Sequence, residues 1–401
     1  MPTLRPFHGI RYSSGVELAD LVCPPYDIIS SDTQELLGRR HVNNAVHLEL
    51  PPESPDGSEG YARGAATFRE WMEAGVLRAD ESACLYVYRQ DFKGPGGERR
   101  RVAGVLGALD LEAWGRGSGV LPHERTMPGP VADRLDLLRA CPVNISPIYA
   151  IYHGAGGLAP YFDTLENRPA TANFVDDEGT RQRLWVIDAP AEIEMLSAAI
   201  SQGPLIVADG HHRYETALAY HAEQGRASGG HDAIMSLCVD VDGEDVLVLP
   251  YHRAISTPVS DLELKRRLTS SWGATPLNDA EVPAALQASR AGHSFVFVLP
   301  GDNLLVEVPG TRGEAVLDID VLHGDILPGV FPEGIQDLRF LRHPAELIEA
   351  VRAGRWNAGV LLEPVEAAQV AATALAGERM PQKATYFWPK VPTGLVFRSL
   401  G

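Results

Sequence analysis

The sequence predicts a mixed α/β fold, on three observations. Short apolar runs such as Leu205–Ala208 are bounded by Gly-Pro and Asp-Gly pairs, as buried strands are. Between such runs lie amphipathic stretches of helical period, residues 59–77 being one. The chain has 401 residues, 45% hydrophobic and 22% charged, enough for two or more cores and ordinary for a globular protein. We divide it into an N-terminal α/β region over 1–155, a compact unit over 183–256 and a C-terminal α/β region over 257–401.

In chain order, residues 1–30 read as extended and turn-rich. Pro24 and Pro25 stiffen the stretch Cys23-Pro24-Pro25-Tyr26-Asp27-Ile28-Ile29, because each proline fixes its own φ and turns the preceding residue away from helix. A loop so stiffened either positions Asp27 for chemistry or uses it to cap the next helix. The helix over 59–77 carries Tyr61, Ala65, Phe68, Trp71 and Met72 on its buried side. Ala83–Gln90 and Arg101–Leu111 predict a hairpin across a charged, Gly-rich turn. A helix ending near Ala140 precedes an apolar strand over Val143–Tyr152, and residues 153–182 read as a surface connection.

Strand Leu184–Ile187, helix Ala191–Gln202, strand Leu205–Ala208 and helix Arg213–Gln224 follow. One helix between two strands predicts a right-handed parallel crossover. Ala233–Val241 and Val246–Ile255 read as a hairpin across Asp242-Gly243-Glu244-Asp245. Beyond it, helices at 259–271, 280–290, 345–354 and 365–375 alternate with strands at 294–299, 303–308 and 358–362, a further α/β layer.

Charge narrows the partners. The formal net charge of -18 opposes non-specific binding to nucleic acid or to an anionic membrane, both of which need a cationic surface. Cys23, Cys84, Cys141 and Cys238 form no CxxC pair and read as buried free thiols in a reducing cytosol. No run approaches the roughly 18 apolar residues of a membrane span, and the first residues lack an apolar signal core, so the expected location is cytoplasmic.

Positive charge must therefore be local. After Leu205–Ala208 comes Asp209-Gly210-His211-His212-Arg213, a strand-to-helix turn holding two histidines and an arginine. The first N–H groups of a helix lack partners within it and carry the positive end of its dipole, so this turn predicts an anion site, most simply for phosphate. Thr216 stands one turn further on. A second concentration of polar groups is Leu121-Pro122-His123-Glu124-Arg125-Thr126, followed by Asp133 and Arg134. Its histidine and glutamate are too close for an HExxH zinc site, but a carboxylate beside an imidazole can serve as a base or hold magnesium. Asp133 and Arg134 equally suit a solvated helix face. In the last distinctive stretch, Met380–Lys390, the cations Lys383 and Lys390 read as ligand contacts and Tyr386, Phe387 and Trp388 as packing.

The boxes CPPYDII at 23–29, HERT at 123–126, ADRL at 132–135, ADGHHRYETA at 208–217 and MPQKATYFWPK at 380–390 resemble, across essentially the whole chain, a bacterial and archaeal domain-of-unknown-function family, number 1015. Residues 183–256 more distantly resemble the phosphate-binding core of the ParB/sulfiredoxin superfamily, which includes free-serine kinases. That resemblance implies a ParB/sulfiredoxin-like core in which Gly210, His211, His212 and Arg213 hold nucleotide phosphates. His211 stands where sulfiredoxins need cysteine, and no separate basic helical domain for DNA is present. The catalytic glutamate that the serine kinases place near the start of the unit has only Glu192 and Glu194 as unmatched counterparts.

The function these features imply is phosphoryl transfer from ATP, ADP or CTP to a small hydroxyl metabolite, free serine to O-phosphoserine being the specific expectation. Such catalysis asks for positioning and charge neutralisation. Glu124 with His123 would be the base, Asp209 a catalytic carboxylate, Asp209 or Asp27 the Mg²⁺ ligand, and Thr216, Lys383 and Lys390 would join the nucleotide contacts. Without a GxxxxGK[ST] loop it is not a P-loop kinase. Alternatives are a nucleotide-binding regulatory module and a metal-dependent phosphatase or nuclease. A single site requires the boxes at 23–29, 123–134 and 380–390 to meet the turn at 209–213.

Overall fold

A computed structural model describes all residues except 14, 16, 53–59, 116, 226–227, 288–291, 311–315 and 382. The chain forms two compact units, Met1–Leu247 with Pro389–Gly401, and Val248–Trp388. Each is a mixed α/β arrangement.

The first unit is built on a nine-stranded sheet of strands Leu4–Arg5 (β1), Leu85–Lys93 (β2), Arg99–Asp110 (β3), Val120–Pro122 (β4), Ile148–Tyr152 (β5), Ala172–Val175 (β6), Arg181–Ile187 (β7), Leu205–Asp209 (β8) and Ala233–Asp240 (β9). Their order is β4-β8-β5-β9-β3-β2-β7-β6, and β1 takes up the edge of β3 beyond the end of β2. The central strands β5 and β9 are buried at every position, as strands covered on both faces must be.

Helix Pro190–Ile200 (α3) joins β7 to β8. The two strands run in the same direction, but β5, β9, β3 and β2 stand between them, so the crossover does not make neighbours of them. The hairpin predicted over 233–255 does not form either. Both edges of β9 are taken, by β3 and β5, and the chain leaves the unit at Val248. Residues 153–182, predicted to be a surface connection, instead contain helix Ala159–Thr164 and edge strand β6. Phe162 and Phe174 explain this, as buried anchors within a polar stretch.

The predicted strand over Val143–Tyr152 is two strands in different sheets. Val143–Asn144 joins a four-stranded sheet with Phe397–Ser399, Gly9–Tyr12 and Leu77–Ala79, while Ile148–Tyr152 joins the large one. Pro147, which has no N–H to give a ladder, lies at the break. The small sheet seats the chain's last residues in this unit, against helix Gly60–Glu73 (α1), whose Ala65, Phe68 and Trp71 are buried with Phe397. The predicted start of that helix at 59 lies outside the described residues. It ends before Gly75, whose φ of 70° is left-handed.

The second unit holds strands His252–Ser256 (β10), Thr275–Leu277 (β11), His293–Val298 (β12), Asn303–Val308 (β13), Asp337–Leu341 (β14) and Ala358–Leu362 (β15), in the order β11-β13-β12-β15-β10-β14 with every neighbour antiparallel. Leu264 and Leu268 of helix Asp261–Trp272 belong to one core of this unit and Leu347 and Val351 of helix Pro344–Arg352 to another. The helix predicted over 280–290 is the single turn Asp279–Glu281 followed by helix Val282–Gln287, and residues 288–290 lie outside the described ones. Tyr386 and Phe387 are buried here, Tyr386 edge-on to Tyr251.

Candidate functional site

The turn at 209–213 is set by glycine. β8 ends at Asp209, Gly210 turns the chain at φ 92°, and helix His211–Glu223 (α4) starts at once, so both histidines lie in its first turn. A Cβ on Gly210 would stand 2.8 Å from Cγ2 of Ile148 and 3.1 Å from Nε of Arg213, so the position excludes other residues on both conformation and space. The first intrahelical bond runs from Tyr214 N–H to the Gly210 carbonyl, and the N–H groups ahead of it have no carbonyl of their own helix to reach.

Asp209 is gripped from two sides. Its Oδ2 accepts a hydrogen bond from Arg213 Nη2 at 2.8 Å, and its Oδ1 accepts one from the ammonium of Lys390. Burial alone would raise the Asp209 carboxyl, but Lys390 and Arg213 override it and hold it well below the usual carboxylate range. Arg213 also donates to the carbonyl of Pro147, and its Nε is buried with no partner among the described residues. Two cations thus face one carboxylate, at the positive end of a helix.

The histidines tie the 123–127 segment to this turn. His211 Nε2 accepts the His123 N–H at 3.2 Å, and His212 Nε2 accepts the Met127 N–H at 3.0 Å. An acceptor nitrogen is unprotonated, so each ring carries its proton on Nδ1 if neutral. His123 is fully buried, with Nδ1 2.7 Å from the Val207 carbonyl, which can only accept. Thr126 donates to Glu215 in α4. Glu124 is half-buried beside His123.

Burial pushes His123 down to about 4, against the Val207 carbonyl and Asp209, which raise it. An imidazole that titrates near 6.5 in the unfolded chain and near 4 in the folded one makes the unfolded state bind more protons between those values. Its contribution is therefore present in full above about pH 6.5 and falls as pH drops towards 4. Urea denaturation of the wild type should lose up to about 3 kcal/mol over that window from this group, and His123→Asn should flatten that part of the profile. An unchanged slope in the variant would refute the assignment.

A glutamate that sequence reading passed over lies next to the turn. Glu49 ends the short helix Val46–Glu49 and is 2% exposed. Its Oε1 accepts the Tyr26 N–H and the Ser146 hydroxyl, both at 3.1 Å. Burial raises its pKa, only partly offset by Arg134, Arg213 and those hydrogen bonds. Glu49, Arg134, Ser146, Arg213 and Thr216 line a cavity of about 50 Å³, room for a few waters at roughly 10–15 Å³ each. Arg134, 7% exposed, donates to the Glu49 carbonyl at 2.9 Å and to Asp133 at 2.7 Å and lies 4.4 Å over the Tyr26 ring. It also lines a second cavity of about 740 Å³, together with Tyr26, Gln34, Tyr61 and Asp133. The signal in the sequence was a carboxylate between two leucines in Val46-His47-Leu48-Glu49-Leu50, just before Pro51 and Pro52.

Other sequence-derived site residues are placed as follows. Asp27 is exposed on the single turn Tyr26–Ile28, and the next helix, Ser31–Arg40, is capped by Ser30, whose hydroxyl accepts the Thr33 N–H. Thr216 donates to the Val131 carbonyl of helix Pro128–Ala140 (α2) at 3.2 Å. Lys383 lies in the second unit with its ammonium 5.1 Å from the Tyr251 ring centroid. Both oxygens of Asp209 accept from cations, an arrangement that does not fit a metal ion, and no group of three His, Cys, Asp or Glu gathers to hold one among the described residues. The 123–134 segment and the end of 380–390 meet the turn, through His123, Met127, Arg134 and Lys390, while the 23–29 segment is joined to Glu49, through the Tyr26 N–H.

A family model described as "Protein of unknown function (DUF1015)" matches residues 4–322. Among solved structures the chain is similar to a free serine kinase in complex with AMP (17% identity, TM-score 0.35, covering 69% of this chain and 89% of that one). It is also similar to SbnI with a C-terminal truncation from Staphylococcus aureus (9%, TM-score 0.41, 72% and 85%) and to a conserved hypothetical protein from Pyrococcus furiosus (15%, TM-score 0.35, 69% and 92%). No curated protein matches the sequence. No helix among the described residues is long and apolar enough to cross a membrane.

Proposed function

This chain belongs to the DUF1015 family, and we propose that it is a nucleotide-dependent phosphotransferase acting on a small hydroxyl metabolite. The observation that carries the reading is one cavity lined by both Arg213 of the glycine turn and the buried carboxyl of Glu49. In this reading the turn is the counterpart of the ParB/sulfiredoxin phosphate element. The amides opening α4, with Arg213 and Lys390, hold the phosphates of ATP, ADP or CTP. Asp209 keeps the two cations in place. Glu49, held protonatable by burial, takes the proton of the acceptor hydroxyl, a role that passes to it from Glu124. The acceptor hydroxyl enters the cavity of Glu49 from the larger one, the two sharing Arg134 in their linings, and free serine is the first acceptor to test.

The purified protein, incubated with each nucleotide, Mg²⁺, serine and a pool of hydroxyl metabolites, is followed by ³¹P NMR. A new phosphoester supports the transferase, free phosphate released from a monoester supports a hydrolase, and tight binding without turnover supports a binding module. Arg213→Ala should abolish nucleotide binding while the folded circular-dichroism spectrum is kept. Unchanged affinity in that variant would remove the turn from the site.

A further inference from the structure

At the other side of the large sheet, a second concentration of cations has no part in the site above. Cross-strand partners share a sheet face. The register pairs Lys93 with Arg99, Asp91 with Arg101, Arg181 with Asp91 and Arg183 with Arg89. One face of β2, β3 and β7 thus carries six basic side chains around the single acid Asp91. The end of this face opens into a cavity of about 510 Å³ lined by Lys93, Arg99, Arg100, Arg101, Arg181 and Arg183, with Asp91 and Asp245 the carboxylates. A volume of this size suits a small ligand.

The inner cations are paired with acids, as Arg100 is with Glu98 at 2.7 Å, whereas Lys93, Arg99 and Arg181 have no carboxylate partner among the described residues. Arg183, 9% exposed on its side chain, bonds Asp91 and Glu166 at 2.6 Å each, and Arg89 pairs with the same two acids. Arg101 reaches Asp163 at 2.9 Å. Among the described residues Arg181 finds only the amide oxygen of Asn173, at 3.0 Å. Lys93 and Arg99 stand directly opposite one another, exposed, with no carboxylate partner among the described residues. Like charges so placed repel. They occur in a chain of net charge -18 that has acids to spare.

We propose that this pocket binds a small polyphosphate anion, a site independent of the phosphotransferase reading. Charge-assisted bonds from a ring of guanidinium groups suit phosphate oxygens. A nucleic acid is disfavoured, because the overall charge repels an extended polyanion and Phe92, the aromatic side chain of the lining, is 5% exposed and offers no stacking face. β5, β9 and β3 separate β2 from β8, about 20 Å at the usual strand spacing, so one small ligand does not span both sites.

The test uses the full chain bearing Arg213→Ala, which silences the turn, with inorganic triphosphate as the probe in isothermal titration calorimetry. Saturable binding is expected, weakened by at least about tenfold in Lys93→Ala/Arg99→Ala and restored towards the parent in Lys93→Arg/Arg99→Lys. Both residues are exposed, and the spectrum of each variant verifies its fold. Absence of binding in the Arg213→Ala chain, or equal affinity in the double alanine variant, would overturn the proposal. So would retention of affinity at high salt, since this site is electrostatic.

Discussion

Glu49→Gln is expected to lower phosphoryl transfer by about 10²- to 10⁴-fold, the usual contribution of a positioned general base, and to leave nucleotide affinity within a factor of two. Glutamine keeps the shape of glutamate and an oxygen that accepts the Tyr26 N–H and the Ser146 hydroxyl. What it removes is the ability to take a proton. A carboxylate this buried costs desolvation, and replacing it by a neutral amide does not open a cavity, so the variant should fold. Single-turnover transfer read by ³¹P NMR separates chemistry from binding. The wild-type rate should rise with pH through a value above that of an ordinary glutamate, because burial raises Glu49, and the residual rate of the variant should lose that dependence. Glu49→Asp, which withdraws the carboxyl by one methylene, should fall between the two. If Glu49→Gln turns over like the wild type, the base lies elsewhere, and Glu124, half-buried beside His123, is the next residue to replace.

How far the sequence was legible follows from how local each signal is. The strand, glycine turn and helix at 205–223 were readable because Gly-Pro, Asp-Gly and an apolar run are short-range signals, and the left-handed φ of Gly210 bears out the turn. The mixed α/β class was readable for the same reason. Pairing was not. β9 looked like half of a hairpin with the strand after it, yet its edges belong to β3 and β5, which come from more than 80 residues earlier in the chain. Glu49 escaped because its helix is only one turn long and has no period to detect; its meaning comes from Tyr26, Ser146 and Arg213, none of them near it in sequence. Lys390 was legible as a cation in a stiff segment, and its partner was not, because Asp209 lies 181 residues away. The histidines were read as phosphate ligands, whereas in the structure their Nε2 atoms accept backbone N–H groups from the 123–127 segment.

Lys390→Met should destabilise the first unit and move its acid unfolding to higher pH. The Lys390 side chain is 9% exposed and Asp209 is 18% exposed, so their ion pair is sheltered from solvent screening. Removing one member of a buried pair leaves an uncompensated charge, which typically costs about 3–5 kcal/mol. Arg213 stays on Asp209 at 2.8 Å, so the lower part of that range is expected. The pH dependence has a definite sign. Asp209 is depressed in the folded protein, so its contribution is present above the ordinary carboxylate value and is lost as pH falls through the folded one. Without Lys390 the folded value rises, the window narrows, and acid unfolding begins earlier. Urea midpoints at pH 7 and circular dichroism followed down in pH measure both effects. Asp209→Asn combined with Lys390→Met should recover part of the loss, because the stranded carboxylate is then neutral. A midpoint shift worth less than about 1 kcal/mol, the size of an exposed pair, would mean that Lys390 does not clamp the tail of the chain to the turn.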